Sequence, residues 1–185
     1  MAIIFPEGTQ NYPSKLVDFD YVQSGTEYNF SIGNGNYLLA TYGIDSLQVT
    51  TKSSTDIIFL RSRISWSMSD VDEEVGFAWF AHPGNNTWTA ITADGAIGDT
   101  FNSRTGFTVG QHNADQNANY GYQNAVMDIY WVPGTATTYN ITPGVKGHGA
   151  TSSTMYVNRF ASNNSSSNWD VKGSTFISAM VMEAP

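Results

Sequence analysis

Apolar and polar residues alternate along most of this chain with a period of two, the spacing that turns one side of a pleated strand inward and the other outward. From Leu16, the residues Val17, Phe19 and Tyr21 alternate with Asp18 and Asp20, which predicts a half-buried strand. Thr26 to Ile32 repeats the pattern with Tyr28, Phe30 and Ile32 on one side. Gly33-Asn34-Gly35-Asn36 then supplies residues that tolerate positive φ, so a hairpin-like corner is expected there. Leu47 and Val49 mark a short strand between Ser46 and Thr51. The longest candidate is Asp56 to Met68, with Ile58, Leu60, Ile64 and Trp66 on one face and Arg61 and Arg63 on the other. Two arginines on a strand face ask for carboxylates or a subunit contact. Val75 to His82 is apolar on both faces, and Pro83-Gly84 turns it toward a partner strand at Asn85 to Ile91. Residues 93 to 125 are poor in aliphatic side chains and read as loop around a short strand at Thr105 to Val109, too long for a plain connector. Strand signals return at Val126 to Val132, Thr137 to Thr142 and Ser153 to Phe160, while Gly147-His148-Gly149-Ala150 reads as a flexible turn.

The closing stretch, Gly173 to Pro185, organises the rest. Phe176, Ser178, Met180 and Met182 fall on one face of a strand and Ile177, Ala179 and Val181 on the other, so both faces are apolar. This predicts a central strand covered on both sides. One sandwich covers one face only, and the simplest cover for the other is another copy of the subunit around a symmetry axis. Phe176, Met180 and Met182 are therefore the expected subunit interface. No segment keeps a helical period over three turns. The fold class that follows is all-β, a jelly-roll β-sandwich of nine or ten short strands over residues 16–185. Residues 1–15 form an extended arm, because Pro6 and Pro13 exclude a helix. Its apolar plug Ile3, Ile4 and Phe5 either lies on its own domain or anchors the protein to a neighbour, and burial of the three contributes about 4–8 kcal/mol.

Composition sharpens the class. Charged residues make up 13% of the 185 positions, against about 25% in ordinary soluble domains. Ser, Thr, Asn and 17 glycines supply the polarity instead, the surface profile of extracellular, lectin-like or virion β-proteins. A net charge of −8 opposes binding to nucleic acid or anionic lipid, which needs a basic footprint. Without cysteine the fold is not stapled. Met1-Ala-Ile-Ile-Phe-Pro6 lacks the basic start and long apolar run of a signal peptide, and no stretch reaches the roughly 20 apolar residues of a membrane span. Synthesis and assembly in a cytoplasm are expected.

The opening Met1-Ala-Ile-Ile-Phe-Pro-Glu-Gly-Thr-Gln-Asn11 resembles the start of small virion proteins of tailed phages, cyanophages especially. The closing Ser174-Thr-Phe-Ile-Ser-Ala-Met-Val-Met-Glu-Ala184 is similar to the last strand of trimeric C1q/TNF-like jelly rolls on phage fibres and capsid decorations. The resemblance implies a homotrimer around the inner sheet, without enzymatic activity, located in the virion and attached to the major capsid protein or another virion protein. The chain departs from such fibres in lacking any shaft repeat, so a compact knob or cement protein fits better than a long fibre.

Candidate chemistry is sparse. Ser69-Asp-Val-Asp-Glu-Glu74 is the densest acidic run, with Asp70, Asp72 and Glu74 as oxygen ligands for a cation, but it lacks the glycine and spaced glutamate of an EF-hand. A solvated turn is the plainer reading. Asp94, Asp99 and Asp115 sit among glycines and asparagines as Asx-turn residues do, although paired carboxylates of a glycosidase need no other signature. His82, His112 and His148 have no short metal-ligand spacing. No nucleophile elbow, phosphate loop or dinucleotide fingerprint occurs, so no catalysis and no cofactor are expected. Gly110 to Asn124 combines planar amides with Tyr120 and Tyr122, the mixture that suits a sugar. A host surface glycan is thus the alternative partner, and a receptor-binding tip module of a tail or head fibre the alternative function.

Overall fold

The computed structural model describes residues 15–33, 35–69, 74–91, 109–112, 123–148, 153–159 and 172–184. Their twelve strands form two six-stranded sheets. The first sheet holds β1 (Leu16–Ser24), β2 (Tyr28–Ile32), β5 (Ile57–Met68), β9 (Gln123–Trp131), β11 (Ser153–Val157) and β12 (Thr175–Met182). The second holds β3 (Gly35–Leu38), β4 (Leu47–Thr50), β6 (Glu74–His82), β7 (Thr89–Ala90), β8 (Val109–His112) and β10 (Thr138–His148). Every pairing is antiparallel. The chain is an all-β sandwich of the jelly-roll kind. It has more strands than the nine or ten predicted, because short pieces such as β3 and β7 pair against the long β10 and β6.

The core lies between the sheets. Ile58, Leu60, Ile64 and Trp66 of β5, Met127 and Ile129 of β9, and Ile177, Ala179 and Val181 of β12 meet Phe77 and Trp79 of β6, Leu47 and Val49 of β4, and Ile141 and Val145 of β10. Trp66 and Phe77 touch with ring centroids 5.5 Å apart. Each large side chain so buried contributes about 1.5–3 kcal/mol. The terminal strand β12 is central, paired with β1 on one side and β5 on the other.

Three departures from the simple pattern have physical reasons. The Gly33–Asn36 stretch carries the chain from β2 in the first sheet to β3 in the second instead of folding it back on itself. The strand expected to end at Thr142 runs through Pro143 to His148, so Gly147 and His148 belong to a ladder and not to a turn. Proline is tolerated there because β4 pairs with residues 138–141 and β3 with 144–147, which leaves Pro143 in the gap where its missing N–H forfeits no ladder bond. Gly144 is fixed by packing: a Cβ would stand 2.5 Å from the Phe80 ring that lies over it.

The third departure is β1, whose sense is inverted. Phe19 and Tyr21 face out, while Asp18 and Asp20 pair with the inward-facing Val181 and Ala179. Both aspartates work at the open edge of the sandwich. Asp18 accepts from the N–H groups of Phe19 (2.9 Å) and Thr50 (2.7 Å), and Asp20 from those of Tyr21 (2.8 Å) and Gln48 (2.7 Å). Each carboxylate therefore joins an edge donor of β1 to an edge donor of β4, closing the seam between the sheets and blocking strand addition there.

Asn158 closes the opposite gap, where β11 ends and β12 begins along the same side of β5. It is fully buried with φ of 63°, a conformation asparagine tolerates better than most residues. Its Nδ2 donates to the carbonyls of Ser24 and Thr26, its Oδ1 accepts from Thr175 Oγ1, and its N–H donates to Ser65.

Candidate functional site

The feature that stands out is the outer face of the first sheet. The strand registers align Phe19, Met180, Phe59 and Tyr130 in one row across β1, β12, β5 and β9. The next row is Tyr21, Ser178, Arg61 and Asp128, and the one after it Gln23, Phe176, Arg63 and Val126. Leu16, Met182 and Ile57 continue the surface on the other side of the first row. Alternation sends all of these away from the core, since Ile177, Ala179, Val181, Leu60 and Ile129 occupy the inward positions.

This face is apolar and open. Tyr130 is 65% exposed, Tyr21 59% and Phe19 46%, and Leu16, Val126 and Val132 are exposed as well. Phe59 and Tyr130 stack at 4.8 Å, and Phe19 stacks with Tyr21 at 5.9 Å. Single exposed apolar residues are ordinary, but a contiguous set marks an interaction surface. Its polar centre is Arg61, which donates from Nε and Nη2 to the two carboxylate oxygens of Asp128 at 3.1 and 3.0 Å. The hydrogen bond first, and then the charge of Asp128, holds the guanidinium pKa above its ordinary value. Arg61 also lies over the Phe59 ring, 5.7 Å from its centroid. Arg63 donates to Asn124 Oδ1 at 3.3 Å. The two arginines that the sequence left needing carboxylates or a contact thus share one carboxylate and one amide on this face.

Phe176, Met180 and Met182, the expected interface, all lie on this outer face and are half-buried within the single chain. Sequence reasoning missed Phe19, Phe59 and Tyr130, the row mates of Met180, because register across strands is not written in local alternation. The arm residues Ile3, Ile4 and Phe5, the acidic residues Asp70 and Asp72, and the loop residues Tyr120 and Tyr122 lie outside the described residues, as do Asp94, Asp99 and Asp115. Glu74 opens β6, where the backbone register pairs it with His112 of β8 and His148 of β10, three residues that are remote in sequence. His82 is buried, accepts from the Gly84 N–H through Nδ1 at 3.1 Å, and meets Trp88 edge-on. It is a turn-stabilising residue.

No family model and no curated protein matches the chain. Among solved structures it is similar to the Gt strain structure of infectious bursal disease virus, at 9% identity and a TM-score of 0.43, covering 100% of this chain and 42% of that one. The VP2 subviral particle of the same virus gives 8% identity, a TM-score of 0.39 and the same coverages. The Gx strain structure gives 11% identity and a TM-score of 0.41 over 90% of this chain and 37% of the other. The chain therefore spans less than half the length of the proteins it matches.

Proposed function

We propose that this protein is a non-enzymatic structural component of a virion, a decorating or cementing knob held to the major capsid protein or another virion protein by its arm, residues 1–15, through Ile3, Ile4 and Phe5. The observation that carries the reading is the open apolar face of the first sheet, a surface made to be covered by protein. It supports a role in assembly, and the low charge content and the resemblance of the two chain ends to phage virion proteins support a virion setting for it. A protein that binds only the finished shell stabilises it by mass action.

The test is to delete residues 1–12 and measure occupancy on particles, together with the rupture temperature of particles that lack the protein. Loss of occupancy with the sandwich still folded, and earlier rupture, are the expected results. Full occupancy after the deletion would remove the arm from the reading. Particles that stay equally robust yet fail to adsorb to cells would replace it with the glycan-binding alternative, and Tyr120→Ala with Tyr122→Ala should then reproduce the adsorption defect.

A further inference from the structure

We infer that the outer face of the first sheet is the surface through which copies of this chain bind one another. The inference rests on the assembly reading above and names the partner of that face. Two properties of the face select a second copy over other occupants.

The first is charge. The chain carries a net charge of −8, so two copies repel over most approaches. Across the paired rows of this face the ionisable groups are Arg61, Arg63 and Asp128, two positive and one negative, which leaves +1. Asp18 and Asp20, which would have made β1 strongly negative, are turned inward onto the β4 edge. Arg61 and Asp128 neutralise each other through two parallel hydrogen bonds, so the pair can be covered without leaving a lone charge. Among the described residues, an acidic chain thus shows its own copies a face free of unbalanced negative charge.

The second is extent and shape. Four strands about 4.8 Å apart, taken over seven residues of about 3.3 Å each, cover about 450 Å² in projection. The side chains standing on them raise the accessible area toward the roughly 800 Å² that each partner hides in a standard interface. Its composition, with Phe19, Phe59, Tyr130 and Met180 at the centre and Arg61 beside them, is that of an interface core rich in aromatics, Met and Arg. Sheets pack face to face about 10 Å apart through side chains of this kind.

The test uses the full chain. Sedimentation equilibrium should show a dimer or trimer for the unmodified protein, and Met180→Asp should weaken association by roughly a thousandfold by burying a charge in the contact. Tyr130→Glu, at a position too exposed to affect folding, should do the same, and circular dichroism should show both variants folded. The chain contains no cysteine, so Ser178→Cys places one thiol in the middle of the face and Ser54→Cys places one in an exposed turn as a control. The thiol at 178 should be protected from maleimide in the assembly and reactive once Met180→Asp is added, while the thiol at 54 reacts in both. A monomeric unmodified protein, or an oligomer in which the thiol at 178 reacts freely, overturns the inference. A monomer that still occupies particles leaves the virion reading standing, and a stable oligomer that never joins particles does the reverse.

Discussion

The outer faces of the two sheets are opposites. On the second sheet the outward positions at its centre are filled within the chain itself: Ala78, Phe80, His82 and Thr142 are all buried, Phe80 to 3% exposure over Gly144, while the flanking Asn36 and Gln48 are exposed but polar. On the first sheet the equivalent positions carry Phe19, Tyr21 and Tyr130 in the open. Small residues set beside one large ring make the second face self-contained, whereas large residues set beside one another make the first face incomplete. Substitutions on the second face should therefore be felt in folding, and those on the first in association.

The largest expected effect breaks the comparison directly. Phe80→Ala should destabilise the chain by about 3–5 kcal/mol, the usual cost of emptying a buried aromatic site. Tyr130→Ala, measured by denaturant unfolding of the monomeric Met180→Asp variant, should cost less than about 0.5 kcal/mol. Equal losses at the two positions would show that the first face is covered within the chain after all.

Next is Asn158→Ala, which probes how the first sheet stays ordered beneath its open face. The change leaves the Ser24 and Thr26 carbonyls and the Thr175 hydroxyl without this partner and places alanine at positive φ. A loss of about 3 kcal/mol is expected, since each buried group left unsatisfied costs about 1–3 kcal/mol. Denaturant unfolding checks it, and a loss below about 1 kcal/mol would mean that water replaces the amide.

A smaller effect is expected at the seam. Asp18→Asn and Asp20→Asn keep the shape but exchange a charged acceptor for a neutral one, and each should cost about 1 kcal/mol. The double variant should also form larger aggregates, because freed edge donors invite strand addition. Light scattering distinguishes this from loss of stability alone.

How much of this was legible in the sequence depends on whether a signal is local. Two-sided apolarity in Phe176 to Met182 announced a central strand, and β12 is central, with Phe176, Met180 and Met182 on its outward side. The same alternation in β1 carries no sign: it told that Phe19 and Asp18 face opposite ways but not which way is in, and hydrogen bonds to β4, remote in sequence, decide it. Pro143 read as a strand end because its tolerance depends on a gap between two other strands. Asn158 gave no signal, since its partners come from three segments remote in sequence.

The smallest effect is argued from Lys146, which shares the outward side of the second sheet, in register with Gly76 on β6 and Asn36 on β3. Burial lowers its pKa below the ordinary lysine value of 10.5, so even a lysine on this side is partly withdrawn from water, while Arg61 on the open face has its pKa raised. The sign follows from linkage. Between the lowered folded pKa and the unfolded value the unfolded chain binds more protons, so the contribution of this group to stability rises with pH across that window, below pH 10.5. Lys146→Met removes the titration and keeps the aliphatic stem in place. The variant should match or slightly exceed the unmodified protein at neutral pH, by less than about 0.5 kcal/mol, and its advantage should shrink as the pH climbs toward the unfolded lysine value. An advantage that grew with pH instead would mean that Lys146 is held by a favourable partner, and the second face would then be less closed than its buried Phe80 implies.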